Sequence, residues 1–477
     1  MTNFENLYDA QKFRVQAHEL VDILADYLAK TTAQDQDFKT IPFQSPEATL
    51  DFWQKDFDSP TLSNPNILFQ NVIENAMNLH SPRYVGHQVT ATLPTATMAA
   101  FVDSFLNNSG AVYEMGMTTN ALEKIVTNWF SRLLGFSENT YGVITSGGTL
   151  ANLTALLTAR AVNAPDDVWK NGSKTRLAVM VSEQAHYCVD RAARIMGLGD
   201  DGVIKVPTDE NFEMKTELLE TLLADAKARG IHVFAIVGSA CTTSTGSYDN
   251  LEKVADFCEK NKIWMHVDGA HGGVVVLSEK YKYLVKGIER ADSVIVDFHK
   301  MLLVPALTTG VFYRNVKDSY QTFSQKASYL FATEDEDWFN SGKRTFECTK
   351  PGLVLRIYSI LRTYGADVFK DTVEYLYDLG KVFAEKIKQN PAFELAIEPP
   401  TNIVCFRFIG AKDVDLNILN TKIREKIIEN GRFYIVSTVL NGKVYLRVSL
   451  MNPLTTMKEL EELLGFIGGL GGFETKN

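Results

Sequence analysis

The stretch "DFHKMLLVPALTTG", residues 297 to 310, sets Lys300 directly after His299 and just past the apolar run "SVIVDF". An ammonium group in such surroundings costs several kcal/mol unless it is paired or neutralised. Thirty-two residues earlier, Asp268 closes the run "IWMHV" and opens the small-residue stretch "GAHGG". An aspartate at that point also suits simple turn capping, but two such side chains at the ends of neighbouring strands would converge on one crevice. A third element is "TSGGTLANLTALLTAR", residues 145 to 160, where Ser146, Gly147, Gly148 and Thr149 open an amphipathic helix. Free N–H groups and hydroxyls at a helix start suit a phosphate dianion, or ordinary capping by Thr145, Ser146 or Thr149. No GK[ST] follows and the spacing is not GxGxxG, so nucleotide-loop readings fall away.

A phosphate cradle, a carboxylate and a buried-looking amine together ask for a ligand with a phosphate, a basic ring nitrogen and an aldehyde. Pyridoxal 5′-phosphate has all three. Lys300 would hold it as a Schiff base, which consumes the amine instead of burying an ammonium, and Asp268 would pair with the ring nitrogen. His186 in "SEQAHYCVDRAARIMGLG" follows a strand and precedes a helix, where an imidazole could stack on the ring or simply bond the backbone. His299 could reach the phosphate, and Thr242 or Thr243 in "SACTTSTGSYDNLEK" could bond the coenzyme or the substrate.

The elements that must position these groups are short β-branched runs alternating with helical stretches from 142 to 314, the signature of βα units on a largely parallel sheet. Ligands of such sheets sit at the carboxyl ends of the strands, where "SEQAHY", "SACTTSTG", "DGAHGG" and "DFHK" fall. Before this region, residues 13 to 28 place Phe13, Ala17, Leu20, Leu24 and Leu28 on one helical face that needs a partner surface. Beyond about 360, a helical stretch leads into alternating segments and a last helix from about 455, with "LNGK" as a hairpin turn. The expected division is an N-terminal helical segment over 1–85 packing on a partner subunit, a large coenzyme-binding domain over 86–360 and a small α+β domain over 361–477.

The 477 residues are 45% hydrophobic and carry a formal charge of −10, which supports a large core and disfavours nucleic acid or an anionic membrane as partner. Five cysteines, widely separated and without a CxxC pair, suggest neither a disulfide framework nor a metal site. With no signal-like N-terminus and no apolar run of roughly 20 residues, the expectation is a soluble cytoplasmic protein acting on a small molecule.

The ordered set "TSGGTLANLTAL", "SEQAHYCVDRAARIMGLG", "SACTTSTGSYDNLEKVADFCEKNKIWMHVDGAHGG", "DFHKM" and "TVLNGKVYLRVSLMNPLTT" resembles the group II pyridoxal-phosphate amino-acid decarboxylases over roughly residues 75 to 460. The resemblance implies an α/β fold of type I with a mostly parallel seven-stranded sheet flanked by helices and a smaller C-terminal α+β domain. It also implies an obligate homodimer with active sites at the subunit boundary, and decarboxylation of an L-amino acid to an amine. By motif, Lys300 is the Schiff-base lysine, Asp268 the pyridinium partner and His186 the stacking imidazole, while Ser146, Gly147, Gly148 and His299 match phosphate contacts. Two stretches depart from the aromatic-amino-acid members. The segment "ASYLFATEDEDWFNSGKRTFECTK" lacks their loop tyrosine, with Tyr329 as a candidate substitute proton donor. In "HSPRYVGHQVTATLP", which matches their substrate wall, Arg83, His87 and Gln88 flank Tyr84 where those members carry several aromatics, so these four are the candidate substrate residues and a polar or acidic side chain that Arg83 could pair is also open. Aromatic substrates stand slightly ahead of acidic or diamino ones, with an aldehyde-forming or transaminating enzyme as the same-fold alternative.

Overall fold

The computed structural model describes residues 4–33, 38–323, 337–411 and 413–474. The chain divides into two compact units: Gln88–Lys381 with Ile397–Val404, and Met1–His87 with Val382–Ala396 and Cys405–Asn477.

The larger unit is built on a seven-stranded sheet in the order β1-β7-β6-β5-β4-β2-β3. Its strands are β1 (Val143–Thr145), β2 (Arg176–Ser182), β3 (Val203–Val206), β4 (Ile231–Ser239), β5 (Trp264–Asp268), β6 (Ser293–Asp297) and β7 (Thr309–Tyr313). The runs "VMV", "FAIV" and "VIV" are apolar at successive positions because both faces of a central strand are covered, and those residues are fully buried. Neighbours from β3 through β6 pair in parallel, each return passing through a helix. The alternation from 142 to 314 predicts βα units throughout, but β7 lies antiparallel to β6. Residues 298–308 are too few for a covering crossover, which needs a dozen or more. β1, which sequence alone did not single out as a strand, pairs antiparallel with β7 and so ends at the same edge as β5 and β6.

The helix Gly148–Asn163 lies on this sheet. Ala151, Ala155 and Ala159, spaced by four, put small side chains on one face and pack in a core cluster with Val179, Val181, Ala235, Val237, Ile295 and Val311. That close approach sets the helix start beside the ends of β1 and β6.

The smaller unit opens with the helix Ala10–Thr32, which Asp9 caps by accepting from the N–H groups of Gln11 and Lys12. A four-stranded sheet follows in the order β10-β11-β9-β8, where β8 is Phe393–Leu395, β9 Ile403–Phe408, β10 Val436–Leu440 and β11 Lys443–Ser449. The hairpin between β10 and β11 turns at Asn441 and Gly442, both at positive φ (49° and 76°), as an Asn-Gly turn requires. Among the described residues no helix is long and apolar enough to cross a membrane.

Candidate active site

Strand register brings the chemistry together. Thr145 at the end of β1 lies opposite Thr309, and Thr309 lies opposite Asp297 at the end of β6; Asp268 ends β5 next door. The turn after β6 folds Lys300 back so that its Nζ stands 3.2 Å from Asp297 Oδ2, with the lysine side chain only 17% exposed and the aspartate 4%. The ammonium is therefore paired by a carboxylate three residues before it. Thr309 donates its hydroxyl to Asp297 Oδ1. His299 places Nε2 3.8 Å from Asp297 Oδ2 and turns Nδ1 to the backbone of Thr308.

The turn after β1 forms the start of the helix. Gly147 holds φ at +105°, a conformation side chains rarely adopt, and a Cβ on Gly148 would come within 3.1 Å of both Asp297 oxygens. No side chain caps this helix. Ser146, expected either as a cap or as a phosphate contact, donates to Glu347 Oε1 at 2.5 Å, and Thr149 is exposed on the first turn. Uncapped N–H groups, glycines that clear the space, a hydroxyl and a nearby amine fit an anion-bearing aldehyde coenzyme.

Asp268 is held differently. Its Oδ2 accepts from Asn152 Nδ2 at 3.1 Å and lies 3.9 Å from the Cys188 thiol, while Oδ1 accepts from the Ala270 N–H at 3.2 Å. Burial, reinforced by the negative charge of Asp268, pushes the Cys188 thiol far above its ordinary range, so it stays a neutral donor. His186 accepts the Cys188 N–H on Nδ1 at 3.3 Å, and its ring lies 4.2 Å from that of Tyr187. Burial lowers its pKa; Asp268 pulls the other way and Lys300 pushes with burial, which places Asp268 and Lys300 in one electrostatic neighbourhood with the imidazole.

The remaining candidates scatter. Thr243 lies half-buried in the loop after β4, next to Thr242, whose hydroxyl is engaged with Thr245 at 2.9 Å. Tyr329 lies outside the described residues. Within the smaller unit, Arg83 is buried: Nε donates to Glu462 at 3.1 Å and the guanidinium lies over Phe433. Tyr84 is 1% exposed and stacks on Tyr434, and His87 is exposed with its ring tilted against the same tyrosine. Gln88, in the larger unit, holds its Nε2 buried without a hydrogen-bond partner.

Sequence reasoning missed Asp297, Asn152, His266 and Glu347. Two had a readable signal: Asn152 sits four residues after Gly148, hence on the same helical face, and His266 sits two before Asp268, hence on the same strand face. Glu347 had none, because only the folded chain brings it to Ser146.

The fold and this cluster define a pyridoxal-phosphate enzyme of fold type I. The family model for the pyridoxal-dependent decarboxylase conserved domain matches residues 66–409, and the chain belongs to that family, whose members are carboxy-lyases. It is 30% identical over 468 residues to an aspartate 1-decarboxylase of Aliivibrio fischeri, covering 86% of this chain and 85% of that one. An aromatic-L-amino-acid decarboxylase of Bacillus atrophaeus is 27% identical over 404 residues, covering 84% and 83%. The crystal structure of mouse CSAD in apo form superposes with a TM-score of 0.90 at 25% identity, covering 97% of this chain and 99% of that one.

Proposed function

We propose that this decarboxylase removes CO2 from an L-amino acid with an acidic side chain, through a site in which Lys300 attaches the coenzyme aldehyde and Asp268 faces its ring nitrogen. The single observation that carries the site is the pairing of Lys300 with Asp297 at a strand end, one strand from Asp268 and beside an uncapped helix start. The coenzyme, when bound, supplies an electron sink for the bond that breaks at Cα. The protein's own groups do the rest. Asp297 holds Lys300 until its amine is used. The N–H groups of the helix starting at Gly148, with Ser146 and His299, bind the phosphate. His186 covers the ring and carries a proton on Nε2, since Nδ1 is occupied as an acceptor and burial keeps the imidazole neutral. Thr243 contacts the coenzyme or the substrate.

The acidic reading is supported by the resemblance, in which the stretch from 80 to 94 matches the substrate wall and here carries His87 and Gln88 in place of several aromatics. The 30% identical relative acts on aspartate. An aromatic substrate, which the sequence motifs set slightly ahead, is the second reading and is favoured by the Bacillus relative. We also infer a homodimer, because Met98, Phe101, Val102 and Phe105 form one exposed apolar face of the helix Pro94–Leu106, and the helix Ala10–Thr32 exposes Phe13, Val21 and Leu24. Sedimentation equilibrium tests it.

Incubation of the holoenzyme with a pool of acidic, diamino and aromatic L-amino acids, read by mass spectrometry, tests the reaction. Disappearance of an acidic amino acid and appearance of an amine lighter by CO2 is the expected result. Consumption of an aromatic one instead overturns the substrate class, and an aldehyde with ammonia, or a keto acid, overturns simple decarboxylation.

A further inference from the structure

Behind Asp268, away from the amine, runs a chain of buried hydrogen bonds that the reading above leaves unused. Trp264 Nε1 lies 2.9 Å from Ser293 Oγ, and Ser293 Oγ lies 2.8 Å from His266 Nδ1. His266 Nε2 lies 2.8 Å from Asn152 Oδ1, and Asn152 Nδ2 lies 3.1 Å from Asp268 Oδ2. All five side chains are buried, Ser293 and His266 completely. No water is needed to complete the chain.

The direction of every link is forced from both ends. Asn152 Nδ2 lies 3.3 Å from Cys188 Sγ and faces two oxygen acceptors, Asp268 Oδ2 and the Gly148 carbonyl, the latter also at 3.1 Å. A flipped amide would point oxygen at both, so Oδ1 must face His266, and His266 Nε2 must therefore carry hydrogen. Complete burial pushes the His266 pKa down to about 4, so the ring is neutral and Nδ1 accepts. The donor to Nδ1 is the Ser293 hydroxyl. Ser293 can give its hydrogen there because its acceptor side is filled by Trp264, an indole N–H that only donates.

We propose that Trp264, Ser293, His266 and Asn152 form a one-directional relay that fixes the orientation of Asp268 toward the coenzyme's ring nitrogen, so that His266 and Asn152 are positioning residues of the reaction. The relay ties together β5, β6 and the helix Gly148–Asn163. The same Asn152 amide that meets Asp268 also grips the first residue of the helix proposed to hold the phosphate. The two ends of the coenzyme are thereby set in one register. The relay delivers a neutral donor to Asp268 and leaves its charge for the ligand, whereas a cation there would cancel it.

The inference rests on the proposed pairing of Asp268 with the ring nitrogen. Its test is Ser293→Ala, which touches nothing in the site and lies three links from Asp268. With no donor for Nδ1, the His266 ring loses the bond that fixes its rotation, and the Nε2–H link that steadies Asn152 Oδ1 loosens. The expected result, for loss of one hydrogen bond to a charged group, is about a tenfold rise in the pyridoxal 5′-phosphate dissociation constant. The pH midpoint of the bound coenzyme's visible band should move with it, and Ser293→Thr should restore both. His186, Cys188, Lys300 and Asp297 also face this neighbourhood and are untouched by the change. Asn152→Asp, which swaps the donor for an acceptor at the same volume, is expected to weaken binding further and keeps the test open should Ser293→Ala not fold. Coenzyme affinity and band midpoint within twofold of wild type in the folded variants overturn the relay. Asp268→Asn separates the two ideas: if that variant binds and turns over normally, the underlying pairing fails, whereas silence of the relay variants alone sinks only the relay.

Discussion

Two aspartates end adjacent strands, and each is followed three residues later by a basic side chain: Asp268 by His271, Asp297 by Lys300. Only the second pair closes. Lys300 returns to Asp297 at 3.2 Å, whereas His271 turns Nε2 to Asn402 Oδ1 at 2.7 Å and leaves Asp268 to neutral donors. A carboxylate whose partner is a cation has its charge spent within the protein; one surrounded by amide, backbone N–H and thiol keeps it for a ligand. In the proposed site the two would divide the work: Asp297 would carry the amine until it is used, and Asp268 would keep its charge for the ring nitrogen.

The sharpest way to break this division is Lys300→Ala. Without the amine no covalent link to the coenzyme forms, so borohydride reduction should leave no coenzyme mass on the protein, and turnover should fall by about a thousandfold or more. The fold should stand, because Asp297 keeps the Thr309 hydroxyl and the helix start beside it. A retained adduct would remove Lys300 from its role. Next in size is Asp268→Asn, which keeps the shape and the space but removes the charge. Loss of one preorganised charge partner is worth about a hundred to a thousandfold in kcat, and a near-normal kcat would mean that Asp268 is structural.

Acid should unfasten the Asp268 side first. His266 is neutral in the fold with a pKa pushed down to about 4, against an ordinary value of 6.5 in the unfolded chain. Between those values the unfolded state binds the extra proton, so stability is complete above about pH 6.5 and falls as the pH drops toward 4. At about 1.4 kcal/mol per unit the loss amounts to roughly 3 kcal/mol. Denaturant unfolding at pH 7 and pH 4.5 measures it, and His266→Gln, which cannot titrate, should flatten that part of the profile.

The contrast also explains what could be read from the chain alone. Lys300 and Asp268 were legible because each follows an apolar strand and sits among small or turn-forming residues, so local pattern and chemistry point the same way. The parallel sheet was legible from the alternation of runs, and the Asn-Gly hairpin from its turn residues. Asp297 was not recognised although it stands in the same tetrapeptide as Lys300, since a lysine three residues after an aspartate is ordinary at any surface. Its meaning comes from the turn that folds one back on the other. The antiparallel course of β7 was hidden because strand direction depends on the length of a connection, and apolar pattern does not carry it. The partners of Arg83 and Ser146, namely Glu462 and Glu347, are far away in sequence, and no periodicity links them.

The smallest change that still probes the division is Asp297→Asn. The amide can keep the Thr309 contact but offers Lys300 a neutral oxygen in place of a charge. A hydrogen bond to a charged group contributes about 1.5–3 kcal/mol, so the variant should lose about tenfold in the rate at which Lys300 takes up the coenzyme. Coenzyme affinity at equilibrium should change less, because Asp268 and the helix start are untouched. Stopped-flow absorbance separates the rate from the affinity. Equal losses in both would show that Asp297 shapes the whole cradle instead of holding one amine, and the contrast between the two strand ends would then be one of degree. An unchanged rate would show that Lys300 needs no charged keeper, leaving Asp297 as the anchor of the Gly148 turn.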